Sequence, residues 1–147
     1  MSEKSSTERA ETDAQAAARA TGGCLCGAVR YEVRGRLRDV VNCHCAQCRR
    51  FHGHHGAYTN AAWDAIALRG GEQLQWFDSS DFARRGFCRT CGSSLFWERR
   101  DSGRVSIAAG TLDEPTRLTT VRHIFVKDAG DYYSIADDLE QFPGSMG

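Results

Sequence analysis

Cys24-Leu25-Cys26-Gly27-Ala28-Val29-Arg30-Tyr31-Glu32-Val33-Arg34 runs a closely spaced thiol pair straight into a strand. Val29, Tyr31 and Val33 alternate with Arg30, Glu32 and Arg34, the period of two that suits a half-buried β-strand. Residues two apart in extended backbone face the same side, so Cys24 and Cys26 can grip one ion. The same alternation returns at Ile66/Leu68, Leu74/Trp76, Leu95/Trp97 and Val105/Ile107, with a last strand-like run at Val121–Val126. Strands at this spacing, with no long amphipathic helix across residues 21–142, predict a mainly β domain whose cysteines fall at strand ends and turns.

Residues 1–20 are polar and alanine-rich and read as a flexible or helical N-terminal arm; residues 143–147 read as a C-terminal tail. The arm has charges throughout and no apolar core, so it is not a secretory leader, and no stretch reaches the length of a membrane span. With an odd count of 7 cysteines, this predicts a reducing, cytoplasmic setting and argues against a disulfide framework. The 19 basic and 19 acidic residues balance, so no whole-chain footprint for nucleic acid exists. Oligomerisation is open on these grounds.

The remaining thiols form two further clusters, Cys43-His44-Cys45-Ala46-Gln47-Cys48 and Cys88-Arg89-Thr90-Cys91-Gly92. Cys88 and Cys91 bracket a zinc-knuckle turn, and Gly92 tolerates the left-handed backbone that follows such a turn. Joined by Cys24 and Cys26 they make a closed set of four sulfurs, a structural zinc site that staples the domain. The middle cluster supplies only Cys43, Cys45 and Cys48. Either a histidine from His44, His52, His54 or His55 closes a Cys₃His shell, or a position stays open for water or substrate. Other partitions, such as Cys24, Cys26, Cys43 and Cys45 around one ion, fit the spacing as well.

Other side chains carry simpler expectations. Trp63, Trp76 and Trp97 should fill the core, Arg84 and Arg85 should be surface charges, and Asp113 should be a turn residue bonded to nearby backbone.

Three segments together resemble a known family: Gly23–Tyr31, Cys43–Arg50 and Phe87–Phe96, with Ala109–Asp113 and His123-Ile124 matching its C-terminal pattern. It is the glutathione-dependent formaldehyde-activating enzyme family, which also includes centromere protein V; the resemblance covers roughly residues 21–142. It implies a β-tent fold of several small antiparallel sheets with two zinc ions. Cys24, Cys26, Cys88 and Cys91 would hold the structural ion, and Cys43, Cys45 and Cys48 the catalytic one. The implied reaction is a carbon–sulfur lyase step that joins or cleaves glutathione and formaldehyde.

On this reading His54 and His55 are the candidate acid–base residues, and Arg49 and Arg50 the candidate anchors for substrate carboxylates. Two departures from the family pattern touch the pocket rim and therefore substrate choice. His54-His55 replaces a small residue and proline, and Tyr132-Tyr133 stands near where relatives carry a tryptophan. The rival readings are a zinc-stabilised binding module without turnover and a thiol redox sensor.

Overall fold

A computed structural model describes residues 19–145. The expected arm at 1–20 lies outside the described residues except for Arg19 and Ala20, which open the first strand. β1 (Arg19–Gly23) pairs antiparallel with β2 (Arg30–Arg34), and β2 with β5 (Ile66–Arg69), in a three-stranded sheet. The other strands are β3 (Val40–Cys43), β4 (Gly56–Ala62), β6 (Leu74–Asp78), β7 (Ala83–Cys88), β8 (Ser94–Arg99), β9 (Arg104–Ala108), β10 (Thr120–Ile124) and β11 (Glu140–Gln141). They form an eight-stranded sheet in the order β11-β10-β3-β4-β9-β8-β7-β6. The mainly β reading holds. What the alternation did not reveal is that one sheet is large and that β10 runs parallel to both β3 and β11.

Strand alternation gives β7 two roles. Arg84, Gly86 and Cys88 face the core side, where Trp76 lies opposite Gly86 and the Arg84 guanidinium stacks 3.9 Å from the Trp76 ring. Ala83, Arg85 and Phe87 face the other side, where Arg85 and Phe87 meet α1 (Ala46–His52), the one α-helix among the described residues; its Phe51 ring lies 6.4 Å from Phe87. β7 is therefore covered on both faces.

The core sits on the first side, between the two sheets. Val29, Tyr31 and Val33 come from the small sheet, and Leu95, Phe96, Val105 and Ile107 from the large one. Phe96 is fully buried and touches three rings, Tyr31 at 5.5 Å, Trp63 at 5.6 Å and Trp76 at 6.3 Å. Such tilted and stacked contacts add to the gain from burial. Trp97 departs from expectation: it is only partly buried and lies outside this cluster. A bulge pairs Phe87 with Ser94 but Gly86 with Phe96, so Phe96 takes the core face and Trp97, opposite Arg85, the other.

Asp113 also corrects the sequence reading. Rather than bonding only neighbouring backbone, its carboxylate accepts from Arg30 Nη2 at 2.5 Å and Thr21 Oγ1 at 2.6 Å, fastening β1 and β2 to a distant loop. Pro143 and Gly144, expected in a tail, accept backbone hydrogen bonds from Lys127 and Phe125.

Candidate metal centres and the histidine–tyrosine cluster

The seven cysteines are free thiols gathered into two groups. Cys24 and Cys26 follow β1, while Cys88 ends β7 and Cys91 lies in the next turn, so this group joins the small sheet to the large one. Within it Cys26 Sγ lies 3.6 Å from Cys24 Sγ and 3.8 Å from Cys88 Sγ. Four sulfurs at the Zn–S distance of about 2.3 Å define a tetrahedron with edges of about 3.8 Å, so these spacings suit one zinc-sized ion. Backbone N–H groups support the sulfurs: Val29 donates to Cys24 at 3.3 Å and Thr90 to Cys88 at 3.4 Å. Gly92 has φ +80°, the left-handed conformation expected of the knuckle. Hydrogen bonds from the Ser93 hydroxyl and backbone hold the Cys91 thiol down to about 5.

The second group is built by a strand, a bend and a helix start. Cys43 ends β3, Cys45 is the N-cap of α1, and Cys48 is buried in the first turn of that helix. Cys45 takes the capping role usually given to Ser or Asp, its sulfur accepting from Cys48 N at 3.3 Å. The sulfurs of Cys43, Cys45 and Cys48 all lie within 4.8 Å of one another, and no histidine nitrogen belongs to the group among the described residues. Hydrogen bonds from Cys43 and Cys48 hold the Cys45 thiol well below its ordinary value, and donation to Cys45 and Cys48, with burial, holds Cys43 well above. A soft, three-thiolate donor set of this size fits a zinc ion with one further position to fill.

Arg85 was expected at the surface and is instead 3 % exposed. Its Nη2 lies 3.6 Å from Cys48 Sγ and 3.5 Å from Gln47 Oε1, and Nη1 donates to the Tyr58 hydroxyl at 3.3 Å. Tyr58 in turn bonds His52 Nε2 at 2.5 Å, and burial, followed by the Arg85 charge, holds His52 down to about 4. Three thiolates around a divalent ion carry one net negative charge, and the buried guanidinium is placed to balance it. The signal was present in the sequence: Ala83-x-Arg85-x-Phe87 puts Arg85 on the face of two apolar residues. Arg84, its neighbour, lies on the core face and pairs with Glu98 at 2.5 Å.

Beyond the sulfurs lies a cluster of histidines and tyrosines. Gly53, at φ +82°, stops α1 and starts the bend that carries His54 and His55. His54 is exposed and its Nδ1 bonds the Tyr132 hydroxyl at 2.7 Å; its ring is 4.5 Å from Tyr133. His55 packs 5.0 Å from His44, and its Nδ1 is buried without a hydrogen-bond partner. Parallel pairing of β10 with β3 sets His123 beside Asn42 and brings its ring next to His44. His44 is buried, with Nε2 at 2.8 Å from His123 Nδ1 and Nδ1 on the Tyr133 hydroxyl. His123 Nε2 then meets the Asp137 carboxylate at 2.9 Å. Burial, with the neighbouring histidines adding to it, holds His44 down to about 4, so its ring is neutral near pH 7.

The structure thus brings His54, His55, Tyr132 and Tyr133 together in one cluster of rings. Of the two candidate arginines, Arg49 is half-buried and its charge acts on Tyr133, while its Nε is buried without a partner; Arg50 is exposed. Sequence reasoning passed over Tyr58 and Asp137, read Arg85 as a surface charge, and gave His123 only as part of a motif. Their roles depend on strand pairings between distant residues.

No helix among the described residues is long and apolar enough to cross a membrane. A protein of Schizosaccharomyces pombe named as an uncharacterized lyase is 24% identical over 123 residues, spanning 82% of this chain and 88% of its own length. The crystal structure of a Rhodobacter sphaeroides protein superposes with a TM-score of 0.55 at 30% identity, covering 64% of this chain and 88% of that one. The family model described as glutathione-dependent formaldehyde-activating enzyme matches residues 19–128, the span holding all seven cysteines and Arg85. This chain belongs to the glutathione-dependent formaldehyde-activating enzyme family.

Proposed function

We propose that the chain is a zinc-dependent carbon–sulfur lyase that joins or cleaves a small glutathione-like thiol and a formaldehyde-like aldehyde. The observation that carries this reading is the group of three sulfurs with no histidine among them, set against a buried guanidinium. Cys24, Cys26, Cys88 and Cys91 would hold one zinc as a brace between the sheets, and Cys43, Cys45 and Cys48 a second. When bound there, zinc supplies a position at which an incoming thiol ionises near neutral pH.

The chain's own residues do the rest. Arg85 offsets the negative charge of the thiolate group from beneath. Arg49, with Arg50 further out, holds a carboxylate of the thiol substrate; the buried Nε of Arg49 gains the partner it lacks. In the joining direction the sulfur lone pair forms the C–S bond at the carbonyl carbon and the C=O π pair moves onto oxygen. His54 or His55 gives that oxygen its proton; in cleavage the same residue takes it back.

The test uses the purified chain with its zinc content measured. Nuclear magnetic resonance follows formation of the hydroxymethyl thioether from glutathione and formaldehyde, relative to the spontaneous rate. The zinc-replete chain should accelerate it, and Cys45→Ser should abolish the acceleration. A zinc-replete chain that accelerates no thiol–aldehyde pairing across a panel of small thiols and aldehydes would end the enzyme reading.

A further inference from the structure

Strand register gathers arginines on the face of the large sheet that carries the three-sulfur group. Arg122 lies opposite Val41, Val41 opposite Tyr58 and Tyr58 opposite Ala108, so these side chains share one face with Cys43, two residues along β3 from Val41. Further from the sulfurs the same face shows Asn60 with Ser106, then Ala62 with Arg104. α1 meets this face at Tyr58, Arg85 and Phe87, and Arg104 is exposed. Arg38, from the segment before β3, reaches β4, where its Nη2 donates to the Tyr58 carbonyl at 3.0 Å. Arg104 Nε donates to Asn60 Oδ1 at 2.6 Å, and Asn60 Nδ2 in turn to Ser106 Oγ at 3.2 Å.

The partners of these arginines set them apart. Arg19, Arg30, Arg84 and Arg100 each meet a carboxylate, on Glu32, Asp113, Glu98 and Asp78. Arg38 and Arg104 bond neutral oxygens instead, which orient a guanidinium without cancelling its charge. Desolvation where Arg38 lies against the sheet, then the positive charges of Arg122 and Arg104, hold its guanidinium below its ordinary value. Glu140 stands opposite Arg122 on the edge strand, yet both charges that act on Arg38 are positive. Like charges held together cost free energy, which an anion among them offsets. A guanidinium has five N–H donors in a fork that matches an oxyanion; among the described residues Arg38 engages two of its donors and Arg104 one.

We infer that Arg38, Arg104 and Arg122 form a binding site for an oxyanion, a phosphate or carboxylate group, on the face of the large sheet that also bears the three sulfurs. It is separate from Arg49 and Arg50, which α1 carries. A free phosphate and a carboxylate of the thiol substrate present the same chemistry; only the second source rests on the lyase reading.

The test titrates inorganic phosphate and glutathione, separately and at constant ionic strength, into the zinc-loaded chain while nuclear magnetic resonance follows the arginine Nε–Hε signals. Those of Arg38 and Arg104 should shift and saturate in at least one titration, while that of Arg19, paired with Glu32, stays still. Saturation with phosphate alone identifies a free anion as the ligand, and saturation with glutathione identifies a substrate carboxylate. Arg38→Gln should weaken binding about tenfold, the worth of one charge-assisted hydrogen bond, and Arg38→Gln/Arg104→Gln should abolish it. Exposed Arg104 allows Arg104→Gln to read the site alone if Arg38→Gln disturbs β4. The anion that saturates should also raise the thermal midpoint of the wild-type chain and leave that of the double variant in place. Shifts at neither arginine with either anion overturn the inference. So do shifts that sodium chloride reproduces at equal ionic strength, or an affinity undiminished in the double variant, which would place the anion on the zinc. A chain without thiol–aldehyde activity ends the lyase reading and leaves every one of these readouts in force.

Discussion

Removing one oxygen, in Tyr58→Phe, tests how the buried arginine is held beneath the three-sulfur group. The ring remains and keeps its edge contact with His52 at 5.4 Å between centroids. What disappears is the acceptor for Arg85 Nη1 at 3.3 Å and the partner of His52 Nε2 at 2.5 Å. A buried polar group left without its partner costs about 1–3 kcal/mol, and the Arg85 bond is long, so the expected loss is about 2–3 kcal/mol. For a chain of 147 residues this lowers the thermal midpoint by roughly 6–9 °C. Arg85→Met removes more. With zinc bound, one net negative charge shared by the three sulfurs faces the guanidinium, and the nearest contact, at 3.6 Å, caps the attraction at about 4–5 kcal/mol at an effective dielectric of 20, before the relief of desolvation. A net loss of about 3 kcal/mol follows, because the sulfur group loses its counter-charge. Once Arg85 is gone, removing the Tyr58 hydroxyl strands only His52, so the double variant should recover about 1 kcal/mol relative to the sum. Urea unfolding of the four proteins, with zinc content measured on the same samples, reads all three quantities. A Tyr58→Phe loss under about 0.3 kcal/mol, or losses additive to about 0.3 kcal/mol in the double variant, would refute the linkage.

Three further outcomes are expected. Phe96→Ala should cost about 3–5 kcal/mol in urea unfolding, since that ring joins the two sheets; a loss under about 1 kcal/mol would mean the core lies elsewhere. A His54→Ala/His55→Ala variant that retains its zinc should turn over about 100-fold more slowly, and unchanged turnover would remove both from the acid–base role. The Asp113 carboxyl is held below its ordinary value of 3.8 by hydrogen bonds from Arg30 and Thr21, so it adds stability above that pH and loses it as the pH falls through the lower folded value. Asp113→Asn should therefore be less stable than wild type at pH 7, and the gap in urea midpoint should close as the pH falls below the folded value; a gap that persists once the carboxyl is protonated would show that charge is not its source.

The parts of this molecule legible in the sequence are the local ones. Alternation over Arg30–Arg34 and the Cys-x-Cys and Cys-x-x-Cys spacings depend on residues within a turn or a strand, and they produced the strands and the sulfur groups. The helix at Ala46–His52 escaped because its one apolar stripe is short and its cap is a cysteine, a residue read first as a ligand. Trp97 was misplaced by a bulge, which reverses the inside–outside pattern without any mark in the residues. Arg85 was misread because charge was weighed above its position between Ala83 and Phe87. The line from Asp137 to Tyr133 was out of reach, since it exists only through the parallel pairing of β10 with β3, between residues some eighty positions apart.

Cobalt substitution at Cys43, Cys45 and Cys48 tests the central claim most directly. Cys88→Ser, which disables the other group, isolates its spectrum if the fold survives, and a difference spectrum of the wild-type chain serves if it does not. Titrating in a small thiol should intensify and shift the sulfur-to-cobalt charge-transfer bands, as a fourth sulfur joins the three. Bands that do not respond to thiol, together with an imidazole nitrogen already in the cobalt shell, would contradict the account.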